Sequence, residues 1–559
     1  MKKDNKTTAI ILFLCGVIPV IWLALLIAPY LSAGLWGIIT HFPEAMNNPL
    51  DIEINKDSMK TVLVFLLIYF LCIGIYFATK KNYKKGEEYG SAKWGNARQI
   101  NKKYAEKRFL DNKIITQNMR MGLDGKKHKR NLNALIVGGS GSGKTRHFCM
   151  PNILSCNHSS KIILDPKGEI LRATGNFLQK NDYEIKVLDL INMEKSNSYN
   201  PFVYLKNEND VQRLVTNFFK STTPESSKTA DPFWDLSASM LMLSFVFYLF
   251  LEAPDYEQNF DTVNVMLRYA ETREDDDDYQ SPVDLLFEQL EEREPEHIAI
   301  KYYKNYKSGS GKTLKSIQIT LAARLEKFNL PLLAKLTSRD TLDLASIGEK
   351  KTALFLLIPD NDSSFNFIIS ILYMQLIQQL FSLADNKYDG TLPLHVAFYM
   401  DEFPNVFIDK EGFPVWLSVC RSRNVSFNIL IQNLAQLKVL FDKQWETILG
   451  NCDCFLFLGG GLDETTAKII SNALGKETID TNTFGKSLGR SGNYSTNYQQ
   501  TGRELLTTDE VRNLDNKNCI LLMRGEKPVI DEKFNLYKHP NIKLSSIGGG
   551  EIYRHGITE

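Results

Sequence analysis

Residues 133–145 of the chain read Asn-Ala-Leu-Ile-Val-Gly-Gly-Ser-Gly-Ser-Gly-Lys-Thr. Ala134–Val137 is a short apolar run with strand character, and a glycine-rich loop follows it at once. Gly138, Gly139, Ser140, Gly141, Ser142, Gly143, Lys144 and Thr145 match the P-loop pattern in its required context, a strand before and a helix after. Glycines let successive N–H groups turn inward around phosphate, and the following helix adds its positive end. In such a loop Lys144 reaches the β- and γ-phosphates and Thr145 holds Mg²⁺. The pattern therefore commits this part of the chain to an α/β fold with the loop at the end of a strand.

The rest of the body agrees. Apolar runs at Lys161–Leu164, Ile185–Leu188, Thr352–Ile358, Ser426–Ile431 and Cys454–Leu458 alternate with helical patterns. Such alternation predicts a mainly parallel sheet covered on both faces. The run Leu394–Phe403 (Leu-His-Val-Ala-Phe-Tyr-Met-Asp-Glu-Phe) delivers Asp401 and Glu402 at its C-terminal end, where a parallel sheet keeps its ligands. Asp401 is the expected Mg²⁺ partner and Glu402 the residue that polarises the attacking water. A Ser-Gly-Ser-Gly-Lys-Thr at 308–313 lacks both the leading glycine, replaced by Tyr306, and a preceding apolar strand. It is not expected to bind nucleotide.

Strand signals vanish between 206 and 349, which predicts an all-α insertion. Leu236–Leu251 is apolar but short for a span and flanked by Asp231, Asp235 and Glu252, so it is expected to be a core helix. The basic segment Lys301–Lys315 is a candidate DNA contact, and the acidic run 271–278 reads as a solvated loop. Beyond Asp480 the polar Gly/Ser/Asn-rich stretch predicts a long mobile loop or hairpin, with Arg490, Tyr494 and Arg503 available to nucleic acid. Residues 541–559 are expected to form a flexible tail.

The N-terminus is unlike the rest. No fixed charge occurs from Thr7 to Thr40 or from Thr61 to Thr79. Two transmembrane helices, about 9–31 and 61–79, are expected, joined by a short outer loop near 32–60. Lys2, Lys3 and Lys6 precede the first; Lys80, Lys81, Lys84 and Lys85 follow the second. The positive-inside rule then places the N-terminus and the body in the cytoplasm, on a multi-pass protein of the cell membrane in contact with lipid. The cysteines fall at no zinc-like spacing and read as reduced thiols. Lys+Arg number 66 against 65 Asp+Glu, which excludes a wholly basic nucleic-acid binder, so any DNA contact must come from local patches.

Taken in order, these residues resemble the type IV secretion coupling proteins, the TraG/TraD-type membrane ATPases of conjugation. The resemblance runs from the two spans through Tyr89-Gly-Ser-Ala-Lys-Trp94, the P-loop, Met150-Pro-Asn-Ile-Leu154 and Asp165-Pro-Lys-Gly-Glu169. It continues through Tyr199-Asn-Pro-Phe202, Asp231-Pro-Phe-Trp234, Asp401-Glu402-Phe403 and Arg421 through Gln432 to Glu504-Leu-Leu-Thr507. It implies a RecA-like P-loop NTPase domain (81–205 and 350–540) carrying the inserted all-α domain (206–349), preceded by a membrane anchor with two transmembrane helices (1–80). It implies ATP and Mg²⁺ as cofactors, a homo-hexamer, and partners comprising relaxase and relaxosome proteins, single-stranded DNA and the secretion channel. Arg421, eleven positions before Gln432, takes the family's place of an arginine finger acting on a neighbour's γ-phosphate, with Gln432 as sensor and Arg423 as competitor for the finger role. Two other functions stay open. One is a double-strand DNA pump of the FtsK type, for which linker and tail are short. The other is a nucleotide-gated membrane receptor that docks protein substrates without pumping.

Overall fold

The computed structural model describes residues 4–556 except 51, 53, 80–85, 156–157, 224–230, 274–278, 407, 462 and 487–493. Glu274–Asp278 of the acidic run, Arg490, and Lys2, Lys3, Lys80, Lys81, Lys84 and Lys85 thus lie outside the described residues. The chain forms two compact units, Met1–Glu88 and Tyr89–Glu559.

In the first unit a helix Asp4–Ile27 continues as a 3₁₀ turn, Ala28–Ala33, and is followed by helices Gly34–Asn47 and Ser58–Thr79. Phe13–Leu31 and Ser58–Thr79 are long and apolar enough to cross a membrane. They pack on each other through a small residue: a Cβ on Gly16 would fall 2.2 Å from the Tyr69 hydroxyl, which donates to the Phe13 carbonyl at 2.8 Å. Leu63, Leu67 and Ile18 are exposed. The segment expected to be a loop from 32 to 60 is largely helical, because Gly34–Asn47 is itself apolar and uncharged over its first two turns.

In the second unit a helix, Ala97–Tyr104, precedes a short antiparallel pair, β1 (Asn112–Ile114) and β2 (Arg120–Gly122). The main sheet then takes β3 (Ala134–Val137), β4 (Ser159–Pro166), β5 (Glu184–Asp189), β6 (Thr352–Ile358), β7 (His395–Met400), β8 (Val425–Ile431) and β9 (Cys454–Phe457). After a separate ribbon of β10 (Lys476–Lys486) and β11 (Tyr494–Glu504) it is completed by β12 (Asn518–Met523) and β13 (Val529–Glu532). The order is β13-β12-β9-β3-β8-β7-β4-β6-β5. The strands from β9 to β5 are parallel, and the β12–β13 hairpin adds antiparallel to β9. Leu135, Ile136, Leu354 and Ile429 are fully buried, each contributing about 1.5–3 kcal/mol by leaving water.

Every regular element described between 206 and 349 is helical. The helix Pro232–Glu252 and the helix Asn366–Lys387 also have span-like length and composition, yet both contribute to the protein core. Phe260 lies 4.7 Å from Phe328, and Phe328 lies 5.8 Å from Phe367, ring centre to ring centre. The insertion therefore shares one core with the helix that covers the sheet. Tyr199 of the Tyr-Asn-Pro-Phe motif is fully buried and donates to Gln375 at 2.5 Å.

Of the two alternatives for the polar stretch after Asp480, loop or hairpin, the strands are those of a hairpin: β10 and β11 pair antiparallel from Lys476 opposite Glu504 to Lys486 opposite Tyr494, and the base of the pair is clamped by the Tyr89–Trp94 motif. Tyr89 and Gly90 donate their backbone N–H groups to Thr478 Oγ1 at 3.0 and 3.1 Å, and a Cβ on Gly90 would lie 2.1 Å from the Lys476 carbonyl. One further expectation changes. The tail from 541 is not loose through residue 556. Tyr553 occupies the space above Gly175, where a Cβ would meet its ring at 2.3 Å, and His555 contacts Asp189 at 2.7 Å.

Candidate nucleotide site

Parallel pairing brings four strand ends to one edge. Val137 of β3 pairs with Ile431 of β8, Met400 of β7 with Ile429, and Leu164 of β4 with Met400. Gly138, Gln432 and Asp401 follow the ends of β3, β8 and β7, and Asp165 is the last residue but one of β4. Strand β8 separates the phosphate-loop strand from the acidic strand, so Gln432 emerges between them.

The loop is held from both sides. Gly138 donates its N–H to the Ile431 carbonyl at 3.1 Å, Gly139 to the Gly459 carbonyl at 3.1 Å, and Ser142 to the Gly139 carbonyl at 3.1 Å. Gly141 and Gly143 have φ of 76° and 80°, which side-chain-bearing residues rarely adopt. Gly139 is further constrained, since a Cβ there would lie 2.0 Å from the Gly460 carbonyl. Ser140 stands exposed at the tip. Buried Lys144 folds back to donate to the Gly138 carbonyl at 2.9 Å. Thr145 opens one turn of π-helix, Thr145–Cys149, before the α-turn Met150–Ile153, and its hydroxyl donates to Asp401 Oδ2.

Asp401 is 5% exposed. Burial raises its pKa above the usual carboxylate range, opposed by the Thr145 hydrogen bond. Glu402 sits at φ 49°, a left-handed conformation that costs a non-glycine residue on the order of 1 kcal/mol. It accepts from Gln432 Nε2 at 3.3 Å. Thr145, Asp401, Glu402 and Gln432 line one cavity of about 420 Å³. The hard oxygens of Thr145 and Asp401 suit Mg²⁺, which binds through few protein oxygens and leaves the rest to phosphate and water. A cation there would also relieve the cost of a buried Asp401 charge.

The same cavity contains Asp165, Lys167, Glu169 and Asp360, to which the sequence pattern assigns no role. Asp165 is pushed up to about 7 by burial, against the N–H groups of Leu171 and Ile170 that donate to it. Lys167 pairs with Asp360 at 2.9 Å. The available signal was an acidic residue directly after an apolar strand, the same pattern that singled out Asp401.

Arg421 does not join this site within the chain. It precedes β8 whereas Gln432 follows it, and seven strand residues put them on the order of 20 Å apart. Arg421 lines a different cavity with Asp124, Lys126, His395 and Asn424, and its exposed guanidinium has no hydrogen-bond or ion-pair partner among the described residues. Its competitor Arg423 is engaged: it pairs with Asp385 at 2.7 Å and lies 4.8 Å over the Phe381 ring. The candidate basic segment is likewise self-neutralised in part. Lys301 pairs with Glu296 at 2.7 Å, Lys304 with Glu291, and Lys307 with Asp284 at 2.8 Å.

Known proteins share this fold. The conjugative coupling protein TrwB lacking its first 70 residues superimposes with a TM-score of 0.57 at 16% identity, over 82% of this chain and 98% of that one. TrwB in complex with ADP and Mg²⁺ gives 0.56 at 14% identity, over 80% and 96%. Protein VirD4 of Rhizobium radiobacter is 24% identical over 421 residues, which is 74% of this chain. VirD4 of Agrobacterium fabrum is 24% identical over 415 residues, or 72%. The chain spans 58% of the length of these curated relatives. The family model for type IV secretory system conjugative DNA transfer matches residues 93–549, a span that includes the whole candidate site, and the chain belongs to this family.

Proposed function

We propose that the chain is the coupling ATPase of a conjugative type IV secretion system. It recruits a relaxase bound to single-stranded DNA, with its relaxosome proteins, and uses ATP hydrolysis to deliver them to the transfer channel. The observation that carries this reading is the convergence of Thr145, Asp401, Glu402 and Gln432 on one cavity beside the phosphate loop, in a chain of the conjugative DNA transfer family. The nucleotide-bound structures of TrwB, with ADP and Mg²⁺ and with a non-hydrolysable ATP analogue, support ATP and Mg²⁺ as cofactors.

Each residue then has a task. The glycines present backbone N–H groups to phosphate, and Lys144 exchanges the Gly138 carbonyl for the β- and γ-phosphates. Thr145 and Asp401 hold Mg²⁺, which neutralises phosphate charge. Glu402 orients the attacking water, and Gln432, touching Glu402, senses loss of the γ-phosphate. Arg421, remote from its own loop and without a side-chain partner among the described residues, acts on a neighbour's γ-phosphate in a homo-hexamer. The two N-terminal helices anchor the protein in the membrane, with the N-terminus and the ATPase body in the cytoplasm.

Glu402→Gln tests the reading. Mg²⁺–ATP should still bind, while hydrolysis falls roughly a hundredfold or more and conjugative transfer is lost. Full hydrolysis and transfer by this variant would remove Glu402 from the mechanism. Transfer without any hydrolysis would favour the receptor that docks without pumping.

A further inference from the structure

The unit Met1–Glu88 holds a cavity of about 680 Å³ between helix Ser58–Thr79 and the segment that leads from Ala28 into helix Gly34–Asn47. Thr61, Val64, Phe65 and Ile68 form one wall, and Ala28, Leu31 and Ile38 the other. Asp57 and Lys60 stand at one end. Lys60, Val64 and Ile68 are spaced at i, i+4 and i+8, so they lie along one face of their helix. Val64 and Ile68 are about 6 and 12 Å further along the axis than Lys60. The cavity therefore has a charged mouth and an apolar body. Thr61 spends its hydroxyl on the Asp57 carbonyl at 3.0 Å, so it makes no polar demand on an occupant.

The cavity lies at the depth of the spans. Trp22 donates its Nε1–H to the Pro49 carbonyl at 2.8 Å. Trp22 is five residues from the end of helix Asp4–Ile27, which is about 7 Å along the axis. Helix Gly34–Asn47 therefore folds back beside the first span instead of standing off from it. It is held there by His41, whose ring stacks on Tyr30 at 5.3 Å. Trp36, Ile39, Phe42 and Met46 are exposed along one side of it, and an apolar stripe carrying tryptophan suits a membrane–water interface. Val64 and Ile68 are 54% and 51% exposed, so the cavity opens sideways, where a span meets lipid.

We propose that this cavity is a phospholipid site, with one acyl chain along the Val64–Ile68 wall and a zwitterionic headgroup at Asp57 and Lys60. The proposal rests on the membrane-anchor reading above. An apolar body with a charged mouth fits an amphiphile. A helix 10–12 Å across fills on the order of 500 Å³ with each turn, so this space admits about one turn of a neighbouring helix, whereas an acyl chain can run its length. Lys60 Nζ lies 3.2 Å from Asp57 Oδ1, and both side chains are exposed. Such a pair is weak and exchanges partners easily. A lipid phosphate on Lys60 and a lipid ammonium on Asp57 replace one ion pair by two. An anionic headgroup without an ammonium leaves Asp57 facing a like charge.

The test is native mass spectrometry of the full chain in mild detergent, incubated with phosphatidylethanolamine or phosphatidylglycerol. One phosphatidylethanolamine per chain should be retained, at about fivefold the occupancy of phosphatidylglycerol. Val64→Trp with Ile68→Trp fills the cavity and should abolish retention. Leu63→Trp with Leu67→Trp, on an exposed face of the same helix, should not. Asp57→Asn leaves the apolar walls intact and should bring phosphatidylglycerol up to parity. The site is overturned if the filled variant retains lipid as wild type does, or if both double variants lose it equally, which would make the lipid a general coat of the spans. It is also overturned if wild type retains no lipid, or if Asp57→Asn leaves the headgroup preference unchanged. Loss of chain–chain association in the filled variant, with lipid retained, would place a second copy there instead. A wild-type chain that leaves membranes in alkaline carbonate would overturn the anchor reading itself.

Discussion

The chain contains the hexapeptide Ser-Gly-Ser-Gly-Lys-Thr twice, at 140–145 and at 308–313. At the first site Gly141 and Gly143 are left-handed, Lys144 is buried, and the segment joins a buried strand to a helical turn. At the second neither glycine is left-handed, Lys312 is exposed, and the segment joins helix Ile298–Lys307 to helix Gly311–Leu325. Identical local sequence thus adopts two conformations, and the flanks decide which. Gly138 and Gly139 let the first copy come within hydrogen-bonding distance of β8 and of Gly459. Tyr306, which stands where Gly138 stands in the first copy, is instead buried in the helical core. A phosphate loop is a property of the strand that presents it as much as of its own residues.

The largest contrast is in nucleotide binding. Lys144→Ala should abolish ATP hydrolysis and weaken Mg²⁺–ATP, whereas Lys312→Ala should leave both within about twofold, since Lys312 faces solvent on a helix. Fluorescent-nucleotide titration of the two variants side by side measures this. Equal losses would mean that the second copy participates in the site.

Next comes the contrast between the two arginines near the start of β8. Arg421→Ala should reduce ATPase turnover by about a thousandfold with ATP affinity preserved, as expected for loss of an arginine finger. Arg423→Ala should reduce it far less, because its guanidinium is occupied by Asp385. Mixing Arg421→Ala with Lys144→Ala subunits should restore part of the activity, the first supplying an intact loop and the second an intact finger. Absence of recovery in assembled mixtures would count against action between subunits.

The hexapeptides also predict opposite signs of stability. Gly143→Ala should destabilise by about 1–3 kcal/mol, since φ is 80° and the new Cβ would fall 2.4 Å from the His147 ring. Gly311→Ala, in the first turn of a helix, should stabilise by about 0.4–1 kcal/mol by restricting the unfolded chain. Thermal unfolding without nucleotide separates the two. A fall in both midpoints would show that Gly311 has a conformational role of its own.

The same distinction between local pattern and distant flank explains what the sequence reveals. Thr352–Ile358 and His395–Met400 are legible because both faces of a parallel strand are buried, which leaves an apolar run ending in charge. Asp401 and Glu402 stand out for that reason. The β10–β11 ribbon is legible only as far as loop or hairpin, since Thr-Asn-Thr and Tyr-Gln-Gln carry no apolar alternation and the hydrogen-bond ladder alone decides between the two. Lys533 reaches the phosphate loop from nearly 400 residues away, with no periodicity to announce the contact. The order of the tail had one faint signal: Gly175 lies inside helix Glu169–Lys180, a position where glycine is costly unless something approaches closely. Tyr553 is what approaches.

The smallest expected effect concerns the lysines just before the second hexapeptide. Sequence alone makes Lys301–Lys315 a basic patch. In the structure Lys301, Lys304 and Lys307 each rest on a carboxylate of the same insertion. The Lys307–Asp284 pair is the most enclosed. Burial works against the Asp284 charge, but hydrogen bonds from Lys307, Ser281 and Tyr303 prevail and hold its pKa below the usual range. To contact a DNA phosphate, Lys301 or Lys304 must leave one anion for another, so little free energy is gained and few net counterions are released. Lys301→Ala with Lys304→Ala should therefore change single-stranded DNA affinity by less than about twofold and leave its salt dependence unaltered. A lysine that truly neutralises a phosphate would each contribute roughly 0.7 to the logarithmic salt slope. Fluorescence anisotropy with a labelled oligonucleotide at several salt concentrations decides the point. A drop in slope of about 1.4 would return this segment to the DNA-binding surface.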